Sequence, residues 1–218
     1  MKYNLHDTER IIGGEVAPAG LAPFAVSLRS GLLIRSHFCG GSLISTTFVV
    51  TAAHCVDAVY STGIIGGGSL SRCTFPTGIC HNHFRSSSNT LQLTIVVLVI
   101  FLKCINLCFF RKYPSGSSVN ELVSIKTNSL DYATCSDMRD VASGDFAGFF
   151  PLIYNDQEIC TFKAVGEGMC KGDSGSALFN DDGLVGIVSW GLPCAKLAPD
   201  VFTRVSTFVP WIQGITGL

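Results

Sequence analysis

The stretch EGMCKGDSGSALF, from Glu167 to Phe179, decides how this chain is read. Ser174 sits there among Gly172, Asp173 and Gly175. Small neighbours let the backbone turn tightly, so that the N–H groups of Gly172 and Ser174 can converge on one point. Two convergent donors are what a developing oxyanion in acyl transfer needs. Taken alone, GDSG is equally an ordinary turn. Far upstream, TAAHCVDAV (Thr51 to Val59) puts His54 beside Cys55, and such a histidine by itself is usually structural. Together, in this order and flanked by cysteines, the two stretches give a nucleophile and its general base.

The rest of the composition fits one large domain or two small ones. At 218 residues the chain is long enough to bury a core. Charged residues make up 14% and the net charge is −1, which argues against a general nucleic-acid binder. PFAVSL (from Pro23), TTFVVTA (from Thr46) and GLVGIVSW (from Gly183) are rich in β-branched and aromatic residues and lie between turn signals. They predict strands, hence an all-β barrel or sandwich. The 10 cysteines are scattered singly rather than in CxxC pairs, which predicts disulfides and an oxidising compartment. The opening MKYNLHDTER has no apolar core of the kind a secretory signal needs, so the expectation is that the true beginning is missing.

Four zones follow. Residues 1–10 are polar and end in Arg10, and residues 11–57 read as strands with Gly-rich turns. Residues 58–120 begin Gly/Ser/Thr-rich, with Cys73 and Cys80, and pass into LTIVVLVIFLKCINLCFF. Residues 121–218 return to strand and turn, closing on VPWIQGITGL as a short terminal helix. The apolar run at 93–110 has Lys103 and Asn106 as its strongly polar members and would just cross a bilayer as a helix. Its Ile95, Val96, Val97, Val99 and Ile100 suit a buried strand equally. A membrane span there would put the two halves of a disulfide-bearing domain on opposite sides, which disfavours it.

Residues RIIGG at the start, CGGSLIS and TAAHC in the first part, and GDSGS, GIVSWG and PDVFTRV in the second resemble the trypsin/chymotrypsin family of secreted serine endopeptidases. The resemblance covers about residues 10–57 and 120–218, and its details are closest to insect digestive chymotrypsin-like members. It implies two antiparallel six-stranded β-barrels with the active site between them. Residues 1–10 would be a propeptide-like segment and 11–218 the protease domain, with a first barrel to about 90, an aberrant segment 91–115 and a second barrel from about 116.

Carried over, the resemblance makes Ser174 the nucleophile, His54 the general base, and Gly172 and Ser174 the oxyanion donors. It places an activating cut after Arg10, made by a trypsin-like protease. The freed amine of Ile11 would then pair with buried Asp173 and order the oxyanion loop. It implies disulfides Cys39–Cys55, Cys135–Cys160 and Cys170–Cys194, leaving Cys73, Cys80, Cys104 and Cys108, of which the first two would pair locally. No cofactor and no metal are implied. Partners would be protein or peptide substrates and protein inhibitors, with no nucleic acid, and the chain would be an extracellular monomer.

Specificity follows on the same footing. Gly168, six residues before the serine, would form the pocket floor, where trypsin-like members carry Asp. Gly191 leaves the pocket mouth open, and Asp200 aligns with its back wall, where many members have glycine. The expectation is a chymotrypsin-like or broad preference, with large apolar residues first and some tolerance of basic ones. Ser189, Trp190 and Gly191 would pair with the substrate backbone as an added strand.

The pattern also breaks. The family's third triad member is an aspartate between the histidine and the second barrel, yet residues 58–120 contain neither Asp nor Glu. Asp57 follows His54 too closely, and Glu121 opens ELVSIKT, which resembles a later strand. The GWG-like strand that opens the second barrel is absent too, and Ser176 and Ala177 stand where Gly and Pro are usual. Two explanations compete: a coding segment replaced by translated intervening sequence, or an inactive homologue that binds proteins through the old cleft. A membrane-anchored protein is the third and weakest alternative.

Overall fold

The alternation of Val, Ile and Phe with small polar residues is carried into two five-stranded antiparallel sheets. The computed structural model describes residues 11–30, 36–60, 65–69, 95–99, 122–144, 150–192 and 195–218. The first sheet has the order β5-β2-β3-β4-β6, from β2 (Ala25–Ser30), β3 (Ser36–Leu43), β4 (Phe48–Ala52), β5 (Ile65–Ser69) and β6 (Ile95–Val99). The second has the order β10-β11-β12-β9-β8, from β8 (Asn128–Leu130), β9 (Glu158–Phe162), β10 (Ala177–Asn180), β11 (Gly183–Gly191) and β12 (Asp200–Arg204). A short ribbon of β1 (Glu15–Val16) and β7 (Val123–Ser124) ties the start of the chain to the entry of the second half. Curled sheets with few helices make this an all-β, two-barrel fold of the trypsin type. Among the described residues each sheet has five strands rather than six.

The three strands expected from composition form, within a residue or two of the quoted stretches. Of the readings of the apolar run, the strand is the one present at Ile95–Val99, which pairs with β4 from Phe48↔Val99 to Ala52↔Ile95. None of the described helices is long and apolar enough to cross a membrane. Cys73, Cys80, Cys104 and Cys108 lie outside the described residues.

Three helices are present among the described residues: α1 (Ala53–Tyr60), α2 (Tyr132–Ser143) and α3 (Val205–Thr216). Helix α2 lies in a zone expected to be strand and turn. Its start is fixed by Asp131, whose side chain accepts the Thr134 N–H at 3.0 Å, and its end by Gly144 at φ +54°. The terminal helix begins at Val205, ahead of the quoted VPWIQG, and its Val205 and Ile212 pack into the first core with Val26, Leu28, Val49, Val50 and Ile187. That core joins both sheets. A smaller one gathers Cys135, Ile153, Cys160 and Val201 under Leu130 and Trp190. Burying such side chains is worth about 1.5–3 kcal/mol each, which is what holds the two halves in register.

Candidate active site

His54 is the second residue of α1, placed where β4 turns into the helix, and it is exposed while Thr51, Ala52 and Cys55 around it are buried. Its position is fixed from behind by the disulfide Cys39–Cys55, which joins β3 to α1 with an S–S length of 2.03 Å. A ring nitrogen of His54 and the two sulfurs lie within 4.8 Å of one another. That trio has the makings of a metal site by residue type only, because the disulfide leaves neither sulfur as a thiolate.

Ser174 comes to the same place from the other half of the chain. Its carbonyl accepts the N–H of Gly40 at 2.8 Å, one residue from Cys39. Gly175 then packs directly on β4: a Cβ built on it would stand 2.2 Å from Thr51 Oγ1, 2.4 Å from the Gly40 carbonyl oxygen and 3.2 Å from Ala52 N. With φ +81° the position requires glycine on two counts. Thr51 Oγ1 donates to the Gly40 carbonyl at 2.7 Å, so β3, β4 and the serine loop are locked together three residues before His54. Phe24 and Phe179 stack edge-to-face at 5.1 Å across the same junction. The residues that sequence reading paired, His54 and Ser174, are therefore on segments stitched to each other.

The loop before Ser174 turns on itself. Ser176 N donates to the Asp173 carbonyl at 2.9 Å and Cys170 N to Asp173 Oδ2 at 2.9 Å. Among the described residues no hydrogen bond takes up the N–H of Gly172 or of Ser174, the two expected oxyanion donors. Gly172 is held by a residue that sequence reading missed: His37 Nε2 donates to its carbonyl at 2.9 Å. Because a carbonyl only accepts, Nε2 carries the proton, and in the neutral ring Nδ1 then accepts from the Ser27 hydroxyl at 2.7 Å. The one signal for His37 in the sequence was its place two residues before Cys39.

Asp173 is 5% exposed. It lines, with Ile11, His37 and Gly172, a cavity of about 1030 Å³ that lies behind the serine loop and includes neither Ser174 nor His54. Ile12 forms an antiparallel bridge to Gly168, with N–H···O distances of 2.8 and 3.0 Å, so this residue is docked beside the glycine expected at the pocket floor. Arg10 lies outside the described residues. Cys135–Cys160 is formed, and Cys170 is disulfide-bonded, whereas Cys194 lies outside the described residues.

Gly168, Gly191 and Asp200 meet. A Cβ on Gly168 would stand 2.8 Å from Asp200 Oδ2, and one on Gly191 would stand 3.7 Å from Oδ1. The carboxyl is thus sandwiched between the two glycines, with Oδ2 accepting the Met169 N–H at 3.0 Å. Burial pushes its pKa up to about 6, against the lowering effect of that hydrogen bond. Strand β11 bulges at Ser189, because Val188 pairs with Phe202 but Trp190 with Val201. Its partner β10 ends its pairing at Ile187, so among the described strands Ser189–Gly191 has one edge unpaired. That edge begins next to Val188, whose carbonyl takes the Gly175 N–H at 2.9 Å, and leads directly to Ser174.

The Trypsin family model matches residues 11–100 and 107–212. The chain is 32% identical to Chymotrypsin-2 of Vespa crabro, over 93% of this chain and 98% of the hornet protein. It is 30% identical to Serine protease 1 of Rattus norvegicus (97% and 92% covered) and 29% identical to Trypsin I-P1 of Gallus gallus (95% and 89%).

Proposed function

The chain belongs to the trypsin family of trypsin- and chymotrypsin-like serine proteases, and on that premise we propose that it is a secreted serine endopeptidase using Ser174 as nucleophile and His54 as base. The observation that carries this reading is the close packing of Gly175 on Thr51 and Ala52, which brings the serine loop against the residues that lead into His54. Ser174 Oγ attacks the peptide carbonyl as His54 takes its proton; the tetrahedral oxyanion is received by the N–H groups of Gly172 and Ser174. His54 then returns the proton to the leaving amine, and water releases the acyl group by the same steps in reverse.

Activation is by cleavage after Arg10. The new amine of Ile11 pairs with Asp173, both of which line the cavity behind the loop. An Asp173 left buried without that cation is the inactive arrangement. The pocket bounded by Gly168 and Gly191 accepts large apolar side chains. Asp200 between them adds tolerance for lysine or arginine once it ionises, above a pH of about 6. Peptides lie along Ser189–Gly191 as an added strand.

A second reading, an inactive homologue that binds proteins in this cleft, is favoured by one observation: no Asp or Glu occurs from residue 58 to 120. Where the acid's hold on the histidine is lost, turnover falls by about 10⁴-fold while the oxyanion donors retain some rate. An alkyl phosphonate ester bearing a reporter separates the two. After cleavage at Arg10, mass-spectrometric labelling on Ser174 supports the enzyme. A folded sample that stays unlabelled over days supports the binder.

A further inference from the structure

Behind the free edge of β11, a buried carboxylate has no part in the catalysis described above. Glu158, on β9, is 7% exposed, and its oxygens accept the Trp190 Nε1–H at 2.9 Å and the Tyr154 N–H at 2.8 Å. Trp190 and Glu158 lie on strands separated by β12. The indole reaches over Val201, which pairs with both Trp190 and Cys160, to the residue two before Cys160. Arg204 donates to the main-chain carbonyl of Glu158 at 2.9 Å, and among the described residues no cation forms an ion pair with the carboxylate itself. One edge of the ring is therefore fixed to a negative group inside the protein, while Trp190 as a whole is only half-buried.

We propose that Glu158 is a specificity-determining positioning residue: by anchoring the indole N–H it fixes Trp190 as an aromatic wall beside the peptide-binding edge, and its charge makes that wall selective for a cationic side chain in the bound peptide. This rests on the reading of Ser189–Gly191 as the peptide-binding strand. A hydrogen bond from the indole N–H to an anion raises electron density on the ring, and the face of an indole already attracts lysine and arginine. The carboxylate adds a direct attraction through a poorly screened interior. Asp200, flanking the same strand at Gly191, acts in the same sense on the pocket residue. The substrate class is thus a peptide with a lysine or arginine beside Trp190, at a position distinct from the one that fills the pocket.

The test measures binding rather than turnover. Acetyl-Ala-Ala-Ala-Phe amide is made with lysine or with norleucine at each alanine in turn. Dissociation constants are read by calorimetry on the full chain cleaved at Arg10. For at least one position the lysine peptide should bind about fivefold more tightly than the norleucine peptide. In Glu158→Gln, which removes the charge, and in Trp190→Phe, which keeps an aromatic ring without the N–H donor, the ratio should fall to about twofold. The double variant should fall to about one. Equal ratios in wild type and variants, or a lysine preference that survives the double variant, overturn the proposal, and so does failure of every peptide to bind the folded protein. Should Glu158→Gln not fold, Trp190→Phe alone decides. Retained lysine selectivity in a protein whose Ser174 resists the phosphonate would refute the catalytic reading and leave this one standing.

Discussion

Replacing Asp200 by Asn removes the charge of a buried carboxyl while keeping its shape and an oxygen for the Met169 N–H. The magnitude follows from the position of the group. Its pKa in the folded protein is about 6 against an ordinary 3.8, because burial between Gly168 and Gly191 disfavours the anion. That is a rise of about two pH units at about 1.4 kcal/mol each, so ionised Asp200 costs the folded state about 3 kcal/mol. The sign is that of a raised acid. The folded state holds the proton more tightly than the unfolded chain, so the native protein loses stability as pH climbs from about 4 to about 6 and the loss is complete above that. Urea unfolding of wild type and Asp200→Asn should therefore coincide near pH 4 and diverge to about 3 kcal/mol in favour of the variant at pH 8. The thermal midpoint of the variant should then be higher by roughly 6–12 °C. Every other titrating group is common to the two proteins and cancels in the difference. A gap that stays constant from pH 4 to pH 8, or that favours wild type at pH 8, would refute the assignment of a desolvated carboxyl to this site.

The remaining predictions concern the serine loop and the histidine. Gly175→Ala should cost more than about 3 kcal/mol, because the new methyl meets backbone and a bonded hydroxyl at 2.2–2.4 Å; Gly166→Ala, at φ +86° but with open space around it, should cost about 1 kcal/mol by the same urea melts. His37→Phe removes the donor that holds the Gly172 carbonyl, and phosphonate labelling of Ser174 should slow by about tenfold or more with little change in secondary structure by circular dichroism.

Local patterns carried much of this site, and tertiary register carried the rest. RIIGG, TAAHC and GDSGS are contiguous strings whose chemistry is set by immediate neighbours, so Ile11, His54 and Ser174 could be named as candidates before any fold was known. Gly168 and Asp200 were also nameable, but not the fact that one carboxyl is clamped between two glycines, since Gly191 arrives from a third segment. Glu158 was invisible. Its tie to Trp190 depends on a bulge at Ser189 that shifts the β11–β12 register, and no local periodicity reports a shift of that kind. Helix α2 escaped for a different reason. Its buried residues are Cys135, Arg139 and Ser143 while Tyr132 and Val141 are exposed, so what fixes it is the Asp131 cap and the Cys135–Cys160 bridge rather than an apolar stripe.

The loss of acids between residues 58 and 120 bears on catalysis less simply than a missing triad member suggests. A carboxylate beside a catalytic histidine does two separable things: it orients the ring, and it stabilises the cation that forms when the ring takes the serine's proton. In this chain the backbone that carries His54 has an independent anchor, because Cys55 is bonded to Cys39 and the helix that begins at Ala53 is continuous with β4. Stabilisation of the imidazolium has no such substitute within that segment. The two contributions leave different kinetic marks. Rigid placement without charge stabilisation retains binding and attack, so that the deficit falls on kcat. A histidine lacking placement would also lose phosphonate reactivity. A protein labelled slowly but completely at Ser174, with peptide affinity intact, is therefore the behaviour that this arrangement of disulfide, helix and acid-free segment dictates.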